Sequence, residues 1–347
     1  MTNSARRLKA RAIAVALVLL VVGAAAGLGW AATPVLKGAA DEFYPSANQE
    51  FLVWAQNSLS RPRHYDVFAK RPGKRKFRVN GAGTTAFGSG VSGSTVAYQE
   101  ISRGGSKIRL FDLETRDRRN PPEGVNTDKW EWKPSISGNQ ILFSRSNINL
   151  VRYRSSEWQR VVLFDRQSGE SRTLARVRGR NRWLMSNQVN GDYLTWESCN
   201  GDLDNCNVVR YQISAKDRDR IPNPGKQQYG GAVTSDGTVY FVRAGQSDAW
   251  KCGASVRILR YPDGGPAEMI ATVPRGKDVF TMFALEEEDG SVTLYFDRYS
   301  CRTNYGDVFR IQNADTERPV VRLVSRRAGG FGGTRFAVMT SSRAPRR

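Results

Sequence analysis

Histidine is almost missing from this chain: His64 is the only one in 347 residues. A serine hydrolase of the triad type needs a base beside its nucleophile. With one histidine and no Gly-x-Ser-x-Gly elbow, that class is excluded. Zinc sites built on histidine are excluded for the same reason, and the spacings of the four cysteines suit no zinc finger. A calcium loop is only begun. Asn200, Asp202 and Asp204 alternate as its first three ligands do, but position six is Asn205 and no Glu follows at position twelve. No cofactor, no metal site and no catalytic residue is therefore assigned. Leu- and Ala-rich helical runs are absent after residue 40, so the expected class is all-β.

What the chain does have is a repeat. Six short apolar strands end in an aromatic residue, at Trp54, Tyr98, Phe143, Trp196, Phe241 and Phe296, spaced 44 to 55 residues apart. Each is preceded by a tight-turn pair such as Gly93-Ser94, Gly138-Asn139, Gly191-Asp192, Asp236-Gly237 or Asp289-Gly290. Gly, Asn and Asp accept the positive φ that two-residue hairpins demand. Each aromatic strand is followed by a further strand, as in Val162-Leu163-Phe164-Asp165 or Asp307-Val308-Phe309. A period of this length made of short strands is a β-propeller, because one blade cannot bury its own faces and must stack on copies of itself. The expected architecture is a six-bladed β-propeller of four-stranded antiparallel blades over residues 41–340, with a basic tail at 341–347. Paired β-sandwiches also space strands regularly, but would not hold the aromatic at near-constant register. For closure, Arg335–Met339 is expected to return as a strand beside blade one, after a fourth strand of blade six near Val320–Leu323.

The segments "KPSISGNQILFSR" with "RVVLFDRQSGESRTLARV", and "AVTSDGTVYFVR" with "SVRILRYPDGG", resemble the repeat of TolB-type, WD-repeat-like six-bladed propellers. In that pattern a Ser-x-Asp-Gly-like turn precedes the aromatic strand and an Asp-x-x-x-Gly-like turn follows the third. The chain departs from it at "SGST", "NGDY" and "EEEDGS". The resemblance implies a non-enzymatic scaffold that docks partners on one face or in the central channel.

The first 40 residues read differently. Arg6, Arg7, Lys9 and Arg11 precede an apolar stretch from Ala12 to Ala32. A basic region before a hydrophobic segment is an export signal. Ala24-Ala25-Ala26 offers a cleavage site, while 21 apolar residues also suffice to cross a bilayer about 30 Å thick. Residues 1–40 are thus a signal peptide or a membrane anchor, and the rest is expected outside the cytoplasm, either secreted or tethered by residues 12–32. Cysteine use agrees, since an even number in an oxidising compartment implies disulfides. Cys199 and Cys206 bracket one loop, and Cys252 and Cys301 occupy the matching loops of adjacent blades. Pairing Cys199 with Cys206 and Cys252 with Cys301 is the choice consistent with blade geometry.

Charge has to be partitioned. The formal net charge is +20, but eleven of the 53 basic residues and none of the 33 acidic ones lie in 1–40 and 325–347. The propeller region remains basic. Export argues against nucleic acid and for an anionic envelope component or a partner protein. The second-to-third strand and interblade connections are long and share one face of a meander blade, where binding usually resides. Arg145, Arg243 and Arg298 recur just past the aromatic strand on that side. Arg176, Arg178, Arg180 and Arg182 lie in an interblade connection, and Trp132 and Trp158 are aromatic candidates. Arg forks suit phosphate or carboxylate, and flat aromatics suit sugars or protein anchors. The sequence also leaves open a secreted carbohydrate-active propeller enzyme, with Glu100, Glu197 and Asp297 as candidate carboxylates.

Overall fold

In a computed structural model of the chain, residues 33–36, 40–58, 61–102, 105–147, 157–179, 181–201, 205–245, 255–303 and 305–316 are described. They form six antiparallel sheets arranged as propeller blades. Blade three shows the pattern in full: Trp130–Ser137, Gln140–Ser146, Trp158–Asp165 and Ser171–Arg178 pair in chain order. Blades one, two, four and five begin at Glu42, Thr85, Arg182 and Gln227 and repeat the same meander. In blade six, Lys277–Asp278 and Met282–Glu286 together line the inner edge of Val292–Ser300, which pairs with Tyr305–Ile311.

The repeat works as its spacing predicts. Trp54, Tyr98, Phe143, Trp196, Phe241 and Phe296 are all 1% exposed or less. Each is central in its strand and fills the space between neighbouring sheets, as Phe143 does among Ala97, Ile108, Val162 and Phe164. The tight turns need the left-handed region, with φ of 53° at Gly138 and 56° at Gly191.

Closure is made by the N-terminal side of the chain. Thr33 pairs with Arg310 and Pro34 with Phe309, and the Val35 amide donates to the Val308 carbonyl. Thr33–Pro34 therefore forms the outer edge of blade six, although it lies within the 1–40 segment. Val320–Leu323 and Arg335–Met339, the stretches expected to complete and close the ring, lie outside the described residues. Because Thr33 sits opposite Arg310, near the third-to-fourth strand turn, the chain enters the propeller from its tight-turn face. Asp41 then fastens the passage into blade one, its Oδ1 accepting from the Gly306 amide and its carbonyl from the Asn57 amide.

Candidate functional site

The inner strands of blades one to five each carry a register shift, at Phe43/Ser46, Phe87/Ser89, Trp132/Ser135, Ser186/Val189 and Tyr229/Ala232. Such bulges turn amides out of the ladder and need new acceptors for them. The acceptors come from the residue after the aromatic in the preceding blade. Gln99 Oε1 takes the Lys133 amide, Ser144 Oγ the Ser186 amide, Glu197 Oε1 the Gly230 amide and Asp297 Oδ2 the Tyr44 amide, at 3.4, 2.8, 2.9 and 3.4 Å. Where the residue at that position is Ala55, the next bulge is at Gly88, with φ of 49°. Thus at four of the six interfaces one side chain ties a blade to the bulge of the next.

This arrangement decides the carboxylates. Glu197 and Asp297 are each 2% exposed. In the amide orientation that satisfies both of its groups, Asn187 donates to Glu197 at 3.0 Å and accepts from the Gly231 amide. Asp297 also accepts from the Phe280 and Thr281 amides and the Thr281 hydroxyl. Burial raises the pKa of both, and amide hydrogen bonds oppose the rise, as does the Lys133 charge at Glu197. Glu100 is elsewhere, paired with the Arg109 Nε of its own blade at 3.1 Å. The two buried carboxylates hold strands in place, and after burial itself the charges of both Asp297 and Glu197 raise the pKa of Tyr44, which they share as a neighbour. The central pocket they adjoin is lined by Tyr44, Lys133, Asn187, Gln188, Thr281 and Phe283 among others and is a shallow space of about 40 Å³. No cluster of metal-ligating side chains occurs among the described residues. Asp202 and Asp204 of the incomplete calcium pattern lie outside them.

The recurring arginines have an inward use that their spacing does not announce. Arg145 is 12% exposed and bonds the fully buried Glu131 through Nε at 3.1 Å, while its Nη2 donates to the carbonyls of Gly124 and Val125. Arg243 donates to the Pro222 carbonyl at 2.9 Å. The Arg145 and Arg243 guanidiniums lie 5.1 and 5.3 Å over Phe143 and Phe241, and that of Arg298 lies 3.7 Å over Phe309. Burial lowers the pKa of all three. Their stems cover the aromatic layer and their heads are largely spoken for. Trp132 is 2% exposed and packs with Met185 against the Cys199–Cys206 disulfide, whose cysteines face each other across one hairpin. Cys301 is also disulfide-bonded; Cys252, its expected partner, lies outside the described residues.

A different set of arginines remains exposed. Across blade three, Glu131, Arg145, Arg160 and Arg176 stand opposite one another in successive strands, and Trp158 stands opposite Arg178. Residues two apart share a face, so Trp158, Arg160, Arg176 and Arg178 form a square about 4.8 Å by 7 Å. The Arg160 guanidinium lies 4.8 Å over the Trp158 ring, and its buried Nε has no hydrogen-bond partner. Arg176 and Arg178 are exposed. The Arg176 pKa is lowered first by the Arg178 charge, then by desolvation and by Arg160. Among the described residues none of these three has a carboxylate within 4 Å, and Glu157 beside them is held by Asn147. Arg182 is exposed one turn further on, and Arg180 lies outside the described residues. The sequence singled out Arg176, Arg178 and Trp158 but missed Arg160, whose significance depends on register.

No family model matches the chain, and no curated protein sequence does. Solved structures do match. TolB from Acinetobacter baumannii is 14% identical over 79% of this chain and 65% of its own length, with a TM-score of 0.48. An oligogalacturonate lyase from Vibrio parahaemolyticus is 10% identical over 79% and 80%, with a TM-score of 0.50. A puromycin-hydrolyzing peptidase from Mycobacterium tuberculosis is 12% identical over 85% and 56%, with a TM-score of 0.51. What the chain shares with the lyase and peptidase structures is the fold alone. It spans less than two thirds of the length of that TolB, and at these identities neither a ligand nor a reaction carries over.

Proposed function

We propose that this chain is an extracytoplasmic propeller scaffold that binds an anionic component of the cell envelope on its long-loop face, without catalysis. The observation that supports it best is the edge of blade three, where Arg160, Arg176 and Arg178 stand together with no acidic partner. The Cys199–Cys206 disulfide and the basic-then-apolar start of the sequence support export. The direction of Thr33–Pro34 adds an orientation. If residues 12–32 stay in the membrane, the tight-turn face is held towards it and the arginine edge points away. That geometry favours a ligand that is not the lipid surface of the same membrane.

The test is binding of the exported domain to isolated envelope material at rising salt. Exposed charges are screened over about 8 Å at physiological ionic strength, so affinity should fall. Replacing Arg176, Arg178 and Arg182 by Gln should weaken binding more than replacing Arg75, Arg116 and Arg166, which lie on the tight-turn side. Equal losses would remove the loop face from the proposal.

A further inference from the structure

A sheet tolerates an arginine opposite a carboxylate or a hydroxyl, and is destabilised by arginine opposite arginine. Blade three places Arg145 opposite Arg160 and Arg160 opposite Arg176. The first contact is relieved, because Glu131 takes Arg145. The second is not. Arg178 adds a third charge on the same face, one pleat further along the outer strand. Sequences that break a local rule without internal compensation do so most often where something outside the fold supplies it. The stretch 148–156 that leads into this edge adds no acidic residue.

We propose that this edge is a site for tetrahedral oxyanion groups, phosphate or sulfate esters, carried in series on a polymer. The proposal rests on the reading of the long-loop face as an anion-binding surface and names the chemistry it takes. The charges are all guanidinium, whose planar fork binds two oxygens of one phosphoryl, sulfuryl or carboxylate group, so the fork selects an oxyanion and the spacing of the forks favours groups carried in series. Arg160 and Arg176 lie one strand spacing apart, about 4.8 Å, close enough for a single tetrahedral group to accept from both. Arg178 stands about 7 Å along the strand from Arg176, so a second group on the same polymer would meet it. The Arg160 guanidinium packs 4.8 Å from the Trp158 ring centroid, and its Nε is buried without a hydrogen-bond partner. Lysines are absent from the square, which fits recognition of oxyanion shape as well as charge.

The experiment uses the full chain purified in detergent and four probes: inorganic phosphate, linear polyphosphate, poly-glutamate of matched length, and vesicles containing phosphatidylglycerol. Calorimetric titration should show polyphosphate binding at least tenfold more tightly than poly-glutamate, inorganic phosphate binding weakly, and vesicles adding little. R176Q/R178Q should lose polyphosphate affinity at least tenfold with an unchanged melting temperature. R75Q/R166Q, equal in charge change, should lose less than threefold. Because Arg160 is half-buried, R160K serves as its probe: it keeps the charge and loses the fork, and should weaken polyphosphate binding. Equal binding of poly-glutamate and polyphosphate, or equal losses from the two double variants, overturns the proposal. Binding of envelope material that survives R176Q/R178Q but not removal of Arg182 would overturn this site while leaving the long-loop face intact. Binding of vesicles in preference to polyphosphate would make the ligand a lipid headgroup and refute the polymer.

Discussion

Replacing Asp278 by Asn should make the propeller more stable at pH 8 and leave it unchanged at pH 4. Asp278 is 3% exposed, on the inner edge of blade six. The Tyr229 hydroxyl donates to its Oδ1 at 2.6 Å, and the Val279 amide donates to the same oxygen at 2.8 Å. These bonds favour the charged form, but burial outweighs them and the Asp297 charge adds to it, pushing the pKa from 3.8 to about 7. A folded-state pKa above the unfolded value means that the folded chain holds the proton more tightly. The penalty of ionisation is therefore absent below about pH 4, grows as pH rises, and is complete above about pH 7. Roughly three pKa units at 1.36 kcal/mol each give about 4 kcal/mol for this residue as an upper figure.

Asparagine keeps an acceptor for Tyr229 and Val279 and cannot ionise. Urea unfolding followed by tryptophan fluorescence, with disulfides oxidised, measures the difference between the two proteins at pH 4, 6 and 8. Glu131, Glu197 and Asp297, whose pKa values burial also raises, are present in both and largely cancel. We expect D278N to gain about 2 to 4 kcal/mol at pH 8, with the gain shrinking to nothing at pH 4. A D278N protein that is less stable at pH 8, or a difference that does not change with pH, would refute ionisation of a buried carboxylate as the cause.

Phe143→Ala removes a fully buried ring between blades two and three and should cost about 3 to 5 kcal/mol in the same assay, and a cost under about 1 kcal/mol would refute the shared aromatic register. Non-reducing peptide mapping should recover Cys199 joined to Cys206 and Cys252 joined to Cys301; recovery of Cys206 joined to Cys252 would break the blade assignment. A chain that begins at Ala40 should melt clearly below one that begins at Ala32, because only the longer keeps Thr33–Pro34 on the edge of blade six, and identical melts would show that this edge is dispensable.

The aromatic period was readable because every blade buries the same strand position, so packing repeats the residue type at that register. The turns were readable because only a few residues accept their backbone. The residue after the aromatic carries an interblade bond in four blades and shows no pattern at all, running Ala55, Gln99, Ser144, Glu197, Val242 and Asp297 around the ring. Its chemistry answers the bulge of the next blade, which differs each time, and a contact between blades leaves no periodic trace in a single strand. For the same reason Glu197 and Asp297 look like free carboxylates until the amides that occupy them are seen. Closure by Thr33–Pro34 rests on two residues, too short for any strand signal to exceed chance.

The arginines show how register separates use from abundance. Two positions past the aromatic, and directly across to the third strand, the pairs are Gln56 with Asp66, Glu100 with Lys107, Arg145 with Arg160, Ser198 with Asn207, Arg243 with Arg257 and Arg298 with Asp307. Four of the six are polar or of opposite charge, as a stable sheet prefers. Blades three and five are the exceptions. In blade five the run stops there, since Arg257 faces Thr272 on the outer strand. In blade three it continues through Arg176, and Glu131 neutralises the innermost member alone. A basic composition spread over solvated faces would scatter such pairs without regard to strand order. An unbroken row of guanidiniums that gathers towards the outer edge of one blade, at the end opposite the entry of Thr33, is instead the arrangement on which the proposed anion site rests.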